Sequence, residues 1–470
     1  MDLIFHSEHG ETLDLASYLF HVRKHNVIMY IQNKEMRSIG KGIVPHTEDW
    51  FDFLGKNYIW VFDSCSCGHL QDWLRSRGEL VFGGCAQGDH LENNRQAGQE
   101  WFKELGFKQP FSKNFTSIDS AIRFVETHSS RKYILKQNGD APKSINHLGK
   151  FDGSVDMIYH LNELRKSWNS QEYGQFNCDL MEVVEGLEVA ASAYFNGNDF
   201  LRSVDGRVVG FLNFEEKKEG DSGTGETCGE MGTTFIGVDD SHLLFKSIIC
   251  RDGMVDKLRD IGFHGVFDIN CIVDLENPKG IVALEPTMRL GVPATSYEFI
   301  EGLGCDPAEI IEACARGTTF DPQIKEGVGM VMCVVAKPFP CEMDVDEKAT
   351  SIGERLWILD PKTGQPSPSA KFEDRLEMGP WAENHFSDEQ REHIHLYNFE
   401  FAVDEETGEG CYKVVSKNGY LLTVTDRQGT SIKQVRKSLI QYIKENLYLP
   451  GMKYRTDIGL RIEEYEDELV

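Results

Sequence analysis

The sequence predicts an α/β domain at the N-terminus, an α+β domain dominated by antiparallel sheet after it, and a small α+β unit that closes the chain. Three observations carry that expectation. Short apolar runs alternate with helical patterns over roughly the first hundred residues. Longer β-branched and aromatic runs fill the middle, and a strand, a turn and one amphipathic helix end the chain. At about 150 residues per domain, the length of 470 also suggests three domains. The pattern places them at 1–105, 106–317 and 318–470, with a polar insertion near 349–392.

In the N-terminal stretch, DLIF (Asp2–Phe5), NVIMYIQ (Asn26–Gln32), YIWVFD (Tyr58–Asp63) and ELVFGG (Glu79–Gly84) read as strands. LDLASYLFHVRKH (Leu13–His25) and HLQDWLRSRG (His69–Gly78) have helical spacing. Strands alternating with helices imply a parallel, Rossmann-like sheet. From about Trp101 the pattern changes. SIDSAIRFVETHSS has a helical period and leads into KYILK, a strand ending on Lys136. Two longer strand pairs follow, Leu180–Gly197 and Gly265–Pro286. The second reads as an antiparallel hairpin turning at Asn277–Gly280. GMVMCVVAKPFP opens the last unit, and the turn-forming, charged stretch Ala349–Glu392 reads as loop or insertion. YLLTVTDRQG gives a strand and turn, TSIKQVRKSLIQYIKENL an amphipathic helix, and EEYEDELV a frayed acidic tail.

Composition narrows the function. With 40% hydrophobic and 11% aromatic residues, a chain of this length buries a sizeable core. Lys plus Arg number 49 against 76 Asp plus Glu, a net charge of −27. Such a surface repels phosphate backbones, which speaks against a nucleic-acid partner. The longest near-apolar run, Gly327–Ala336, is about half a bilayer span, and the apolar run of MDLIFHSEHGE is too short for a secretory segment. Twelve cysteines, mostly single, read as reduced thiols. The expectation is a cytoplasmic enzyme, monomeric or a small homo-oligomer, acting on small molecules.

P-loop, GxGxxG, GxSxG and HExxH patterns are absent. The hairpin Gly265–Gly291 is more informative. Asp268 and Glu285 lie on its two strands and either share Mg²⁺ or stand as exposed polar residues of an alternating strand. Arg289, four residues past Glu285, adds a cation suited to a developing phosphate or carboxylate charge. Lys136 either aims at phosphates or faces solvent. Glu182 and Glu188 in MEVVEGLE suit ribose hydroxyls or an amino group, or are ordinary strand-edge acids. The glycine-rich EGDSGTGETCGEMGT (Glu219–Thr233) is either an anion cradle or a flexible linker. Cys65, Cys67 and His69, with Cys85 and His90, either bind zinc or are thiols beside the sheet's carboxyl edge, where open α/β sheets take ligands.

In chain order these pieces resemble the phosphoribosylamine–glycine ligase family of ATP-grasp ligases, in divergent form. LLTVTDRQGTSIKQVRKSLIQYIKENLYLPGMKYRTDIGLR (Leu421–Arg461) follows that family's closing pattern through Gly451-Met452, Tyr454-Arg455 and Asp457-Ile458-Gly459. GDSGTGETCGEMG, ALEPTMRLGVPAT and Val81–Phe107 resemble three further family segments. The resemblance implies an ATP-grasp domain flanked by an α/β domain and a C-terminal ligase domain. It implies that ATP phosphorylates a carboxylate, glycine in the family, and that the amine of phosphoribosylamine displaces phosphate. ATP would lie between two sheets. Lys136 and Arg95 would contact phosphates, Glu182 and the Val184 backbone would read adenine, and Glu188 would read ribose. Asp268, Glu285 and Thr287 would hold Mg²⁺ (or Mn²⁺), and Arg289 would steady the transferring group. Asp221, Gly229, Met231, Gly232, Arg289 and Gly291 would line the substrate site.

The chain departs from the family on the acceptor side. The family's opening glycine-rich loop, which helps bind the acceptor's phosphate, is HSEHGETLDLA, with Gly10 its single glycine. The family's flexible loop after the strand lysine is KQNGDAPKSINHLG, with Lys143 as a substitute cation. Arg95 stands for a lysine, Thr287 for an asparagine, and GDPE has become Gly291-Val292-Pro293-Ala294. Two further functions therefore stand beside the family reaction. One is a ligase joining an amino acid to a different amine; the other is a catalytically silent nucleotide-binding protein.

Overall fold

The computed structural model describes all residues except 138–144, 171–173, 275–279, 341–345, 368–385, 405–407, 428 and 470. Lys143 and most of the turn Asn277–Gly280 lie outside the described residues. The described chain divides into two compact units. The larger holds Met1–Trp101, Glu188–Asn270 and Glu285–Val470; the smaller holds Phe102–Leu187 and Cys271–Leu284.

The larger unit opens on the expected parallel sheet. Strands β1 (Asp2–Ser7), β2 (Asn26–Ile31), β3 (Ile59–Phe62) and β4 (Leu80–Phe82) run in the order β2-β1-β3-β4, every pair parallel. Burial explains the composition: Leu3, Ile4, Phe5, Trp60 and Phe82 are completely buried between the helices that cover the sheet. Those helices are α1 (Leu13–His21), α2 (Gly68–Ser76) and the later helix Pro307–Arg316; α3 (Ala86–Asn93) packs on α2, and α4 (Arg95–Glu104) follows it.

An eight-stranded sheet follows, in the spatial order Val282–Thr287, Gly265–Val273, Leu187–Phe195, Val209–Glu215, Gly232–Asp239, Gly327–Val335, Tyr420–Asp426 and Ile394–Leu396. The strand that opens the expected third unit, Gly327–Val335, pairs antiparallel with Gly232–Asp239. Sequence order therefore does not follow sheet order here. A six-residue π-helical turn, Ser296–Glu301, is wholly buried. The closing helix, Ile432–Asn446, buries Ile432, Val435, Leu439 and Ile443, one stripe at helical spacing.

The smaller unit is a four-stranded sheet in the order Ser112–Phe115, Cys178–Glu182, Tyr133–Gln137, His147–Leu148, antiparallel throughout. Helices Ile118–Thr127 and Val155–Ser167 close its core around Tyr133, Leu135, Leu161 and Leu180.

Two expectations need correction. Leu180–Gly197 does not form a strand pair: Cys178–Glu182 joins the small sheet, while Leu187–Phe195 joins the large one. Gly186, at φ +150, lies in the break between them, where an added Cβ would sit 2.6 Å from the Val273 carbonyl oxygen. The stretch 349–392 is not all loop. Arg355–Asp360 is a strand with Leu356 and Ile358 buried, paired to Gly410–Val414, and Asp388–His393 is a helix with a capping box at Ser387. The alternation in RLWILD carried that strand, and the surrounding polar residues masked it.

Candidate functional site

In the small unit, Lys136 and Glu182 sit on adjacent strands. The register pairs Lys136 with Asp179 and Tyr133 with Glu182. Side chains alternate along a strand, so Lys136 shares a face with Ile134 and Met181, and Glu182 shares the other face with Tyr133 and Leu180. Glu182 is bound to Arg131 at 3.0 Å. Val184 is half-buried in the segment that leaves this strand.

In the larger unit, three expected residues gather around a lysine the sequence did not single out. Lys217 Nζ lies 2.7 Å from Glu188 Oε1 and 3.1 Å from Glu215 Oε2. Burial works against its charge, but Glu215, Glu188 and Glu285 outweigh that and hold it protonated. Asp268 belongs to the same cluster. Its Oδ2 accepts from Asn213 Nδ2 at 3.3 Å, while Oδ1 is buried without a hydrogen-bond partner among the described residues. Burial raises the Asp268 carboxyl well above the usual range, and Glu298 and Glu215 push the same way. Glu298, on the π-helical turn, is 1% exposed, and burial lifts it to about 8. Glu230 is likewise raised, by burial and then by Glu215, and accepts a hydrogen bond from the Thr233 hydroxyl. Glu285 itself is exposed and Thr287 half-buried, on the strand next to that of Asp268.

Arg289 points elsewhere. Its Nε meets Glu92 Oε1 at 2.9 Å and its Nη1 donates to the Leu290 carbonyl at 3.0 Å, while Glu92 Oε2 accepts from the Met288 amide at 3.0 Å. Glu92, Cys65 and Glu11 raise its pKa against the effect of burial. This places Arg289 against α3, within electrostatic reach of the loops after β1 and β3. Arg95, at the start of α4, is half-buried and its Nη1 has no hydrogen-bond partner among the described residues.

The glycine-rich segment is structured. Lys218–Gly220 and Thr224–Thr227 form a two-stranded ribbon. Asp221 accepts from the Thr456 amide at 2.8 Å and hydroxyl at 2.6 Å, and Asp457 accepts from the Ser222 amide at 2.6 Å. Arg455, 2% exposed, binds Asp457 and Glu216 and donates to the Lys218 carbonyl. The closing motif thus clamps the ribbon. Met231 packs with Cys228, Cys333 and Val335, Gly229 is exposed, and Gly232 opens the strand Gly232–Asp239. Gly291 leads into the segment before the π-helical turn.

Cys65 donates to Asn93, Cys67 to Gln32, and Cys85 Sγ accepts from the Gly88 amide. Among the described residues, no three His, Cys, Asp or Glu side chains are grouped to hold a metal ion by themselves. A Mg²⁺ that keeps phosphate oxygens and water in its shell needs fewer protein ligands, and the free buried oxygen of Asp268 fits that requirement. Glu298 and Glu230 come from separate parts of the chain, while Glu215 and Lys217 share the charged run EEKKE, the one signal of this cluster in the sequence.

The whole arrangement is the ATP-grasp fold: a parallel α/β sheet, a small antiparallel unit and a large antiparallel sheet carrying the carboxylates. Among solved structures, the chain is similar to phosphoribosylamine–glycine ligase from Thermotoga maritima (TM-score 0.65, 16% identity, 97% of this chain and 100% of that one). It is also similar to the biotin carboxylase domain of 2-oxoglutarate carboxylase from Hydrogenobacter thermophilus, solved with MgADP and bicarbonate (TM-score 0.59, 11% identity, 99% and 95%). A third is N5-carboxyaminoimidazole ribonucleotide synthetase from Thermus thermophilus (TM-score 0.54, 12% identity, 95% and 99%). No protein-family model and no curated sequence matches the chain. Among the described residues, no helix is long and apolar enough to cross a membrane.

Proposed function

We propose that this protein is an ATP-dependent carboxylate–amine ligase that works through an acyl phosphate. The observation that carries the reading is the Asp268 carboxyl, buried with one oxygen free, on the strand next to that of Glu285, in a fold matched over nearly its whole length by ATP-using ligases. The carboxylate substrate is an amino acid, glycine being the first choice. Its carboxylate oxygen attacks the γ-phosphorus of ATP, ADP leaves, and the amine then displaces phosphate from the acyl carbon. No side chain needs to form a covalent bond, so catalysis is positioning and charge neutralisation.

Asp268 and Glu285, with Thr287, would hold Mg²⁺ (or Mn²⁺), which supplies charge neutralisation at the phosphate oxygens. Lys136 and Arg95 are assigned to the phosphates, Glu182 and the Val184 backbone to adenine, and Glu188 to ribose. Arg289, oriented by Glu92, steadies the acyl phosphate. Asp221, Met231, Gly229, Gly232 and Gly291 shape the loops around the substrate, Asp221 through its clamp on Thr456.

The test is ADP release from the purified protein with ATP and Mg²⁺ across amino acids and amines, with Glu285→Gln as the control. Glu285 is exposed, so the variant should keep its melting temperature and lose roughly 10- to 100-fold in rate. ATP binding with no ADP release across the panel would replace the ligase with a silent nucleotide binder.

A further inference from the structure

Glu298 is a buried carboxyl that the proposed reaction does not use. It stands on the π-helical turn, 1% exposed, and neither of its oxygens has a hydrogen-bond partner among the described residues. The turn is pinned to the large sheet around that side chain: the Tyr297 ring stacks on Phe235 at 4.8 Å, and the Tyr194 hydroxyl donates to the Glu298 carbonyl. Packed in this way, the carboxyl meets the sheet and not water.

The sheet presents two polar side chains beside a small one. Register pairs Phe211 with Ser192 and Asn213 with Ala190, so Ser192, Ala190 and Asn213 share a face. Ser192 and Asn213 lie close enough to favour the ionised Glu298 carboxyl, but neither hydrogen-bonds to it. Asn213 is completely buried and Ser192 is 1% exposed, and Asn213 Oδ1 and Ser192 Oγ also have no hydrogen-bond partner among the described residues. The other end of the Asn213 amide is engaged: Nδ2 donates to Asp268 Oδ2 at 3.3 Å, across the strand that carries Ala190. Ala190 is small enough to let that contact span its strand.

Buried oxygens, two from Glu298 and one each from Asn213 and Ser192, thus gather without a donor. Lys217 is held by Glu188 and Glu215. Unpaired buried oxygens are costly, and a single cation relieves all of them. The donors are hard oxygens only, which fits alkali and alkaline-earth ions and not zinc or copper. One carboxylate among neutral oxygens balances a single positive charge. Mg²⁺ also sheds water reluctantly, and side chains this deeply buried admit no hydration shell.

We infer that Glu298, Asn213 and Ser192 bind a dehydrated monovalent cation, K⁺ or Na⁺, between the large sheet and the π-helical turn. Asp268 is left to Mg²⁺, and Asn213 joins the two sites, its amide nitrogen on Asp268 and its oxygen on the monovalent ion. Without the ion, burial keeps the Glu298 carboxyl protonated; the ion takes that proton's place. The site goes beyond the ligase reading and does not depend on it, since no nucleotide takes part.

The experiment melts the full chain, without ATP or Mg²⁺, in KCl, NaCl or choline chloride at matched ionic strength. K⁺ or Na⁺ is expected to raise the melting temperature by about 3 °C over choline, and the salt effective at the lower concentration names the ion. Glu298→Gln should abolish the rise. Ser192→Ala removes a hydroxyl that bonds to no described group, so it should leave the fold intact and increase the salt concentration for half the rise about tenfold. Glu285→Gln, which touches only the Mg²⁺ set, should keep the rise. Equal melting in all three salts, a rise that survives Glu298→Gln or ignores Ser192→Ala, or one lost in Glu285→Gln, overturns the inference. ADP release tests the ligase reading by itself, so either can fail alone.

Discussion

Lys217 is the residue on which the charge balance of the carboxylate cluster turns. It is the cation paired to both Glu188 and Glu215, and Asp268 feels it as a lowering influence against three raising ones. Replacing it with methionine keeps the aliphatic stem and removes the charge, so Glu188 and Glu215 lose their partner. The expected cost is roughly 1–3 kcal/mol, below that of a fully buried pair because Glu188 is partly exposed. Chemical denaturation checks this, and a midpoint within error of the parent protein counts against it. Asp268, Glu285 and Arg289 stood out in the sequence because each stands in a short motif with its neighbours. Glu230 and Glu298 did not, because chain folding and the π-helical turn bring them to Asp268 without leaving a local pattern, and Lys217 had only the charged run EEKKE. Arg289 stood out as a cation but not as Glu92's partner, a contact between residues 197 apart in sequence.

At the level of elements, sequence succeeded where periodicity was undiluted. The four parallel strands and the closing helix lie where their apolar spacing put them, to within a few residues. The glycine-rich segment was ambiguous for a physical reason: glycine content reports conformational freedom, not whether that freedom is used. In the fold it is used at Gly232. This residue sits at φ +153 where Gly232–Asp239 starts, opposite Met332 of the neighbouring strand. A Cβ there would be 2.6 Å from the Val331 carbonyl oxygen and 2.9 Å from Ile458 Cδ1. Neither the backbone oxygen nor the buried Ile458 can yield without moving a strand. Gly232→Ala should therefore cost roughly 1–3 kcal/mol and loosen the ribbon that Arg455 and Asp457 clamp. Limited proteolysis should then cut between Lys217 and Met231 faster than in the parent. An unchanged melting temperature would show that the strand absorbs the methyl group.

For the molecule as a whole, stability should decline above about pH 6.5, because two sets of buried groups oppose each other below that pH and only one remains above it. Three histidines, His6, His46 and His395, are lowered by burial to about 4, 4 and 3, against 6.5 when unfolded. Between those values the unfolded chain binds more protons, so they make stability rise with pH up to about 6.5. Buried carboxyls act the other way. Burial raises Asp14 to about 6, Asp63 to about 7 and Glu298 to about 8, so the native state holds protons that the unfolded state has released, and stability falls as pH climbs through each value. His393, raised by Glu301 against its burial, adds to that decline. Above about 6.5 the lowered histidines no longer contribute, and Asp63 and Glu298 are left to dominate. The net charge of −27 steepens the same limb through self-repulsion, a part that salt should screen. Melting temperatures across pH 5–9 should therefore change little up to about 6.5, where the histidines and the buried carboxyls oppose each other, and fall above it. Glu298→Gln should flatten the alkaline limb, while salt raises it and removes only the part of its slope that the net charge adds, because burial of the carboxyl is not a screened interaction. A flat alkaline limb in the parent protein, or one that salt alone abolishes, would mean that Glu298 and Asp63 are ionised in the native fold and that the long-range charge sets the pH dependence.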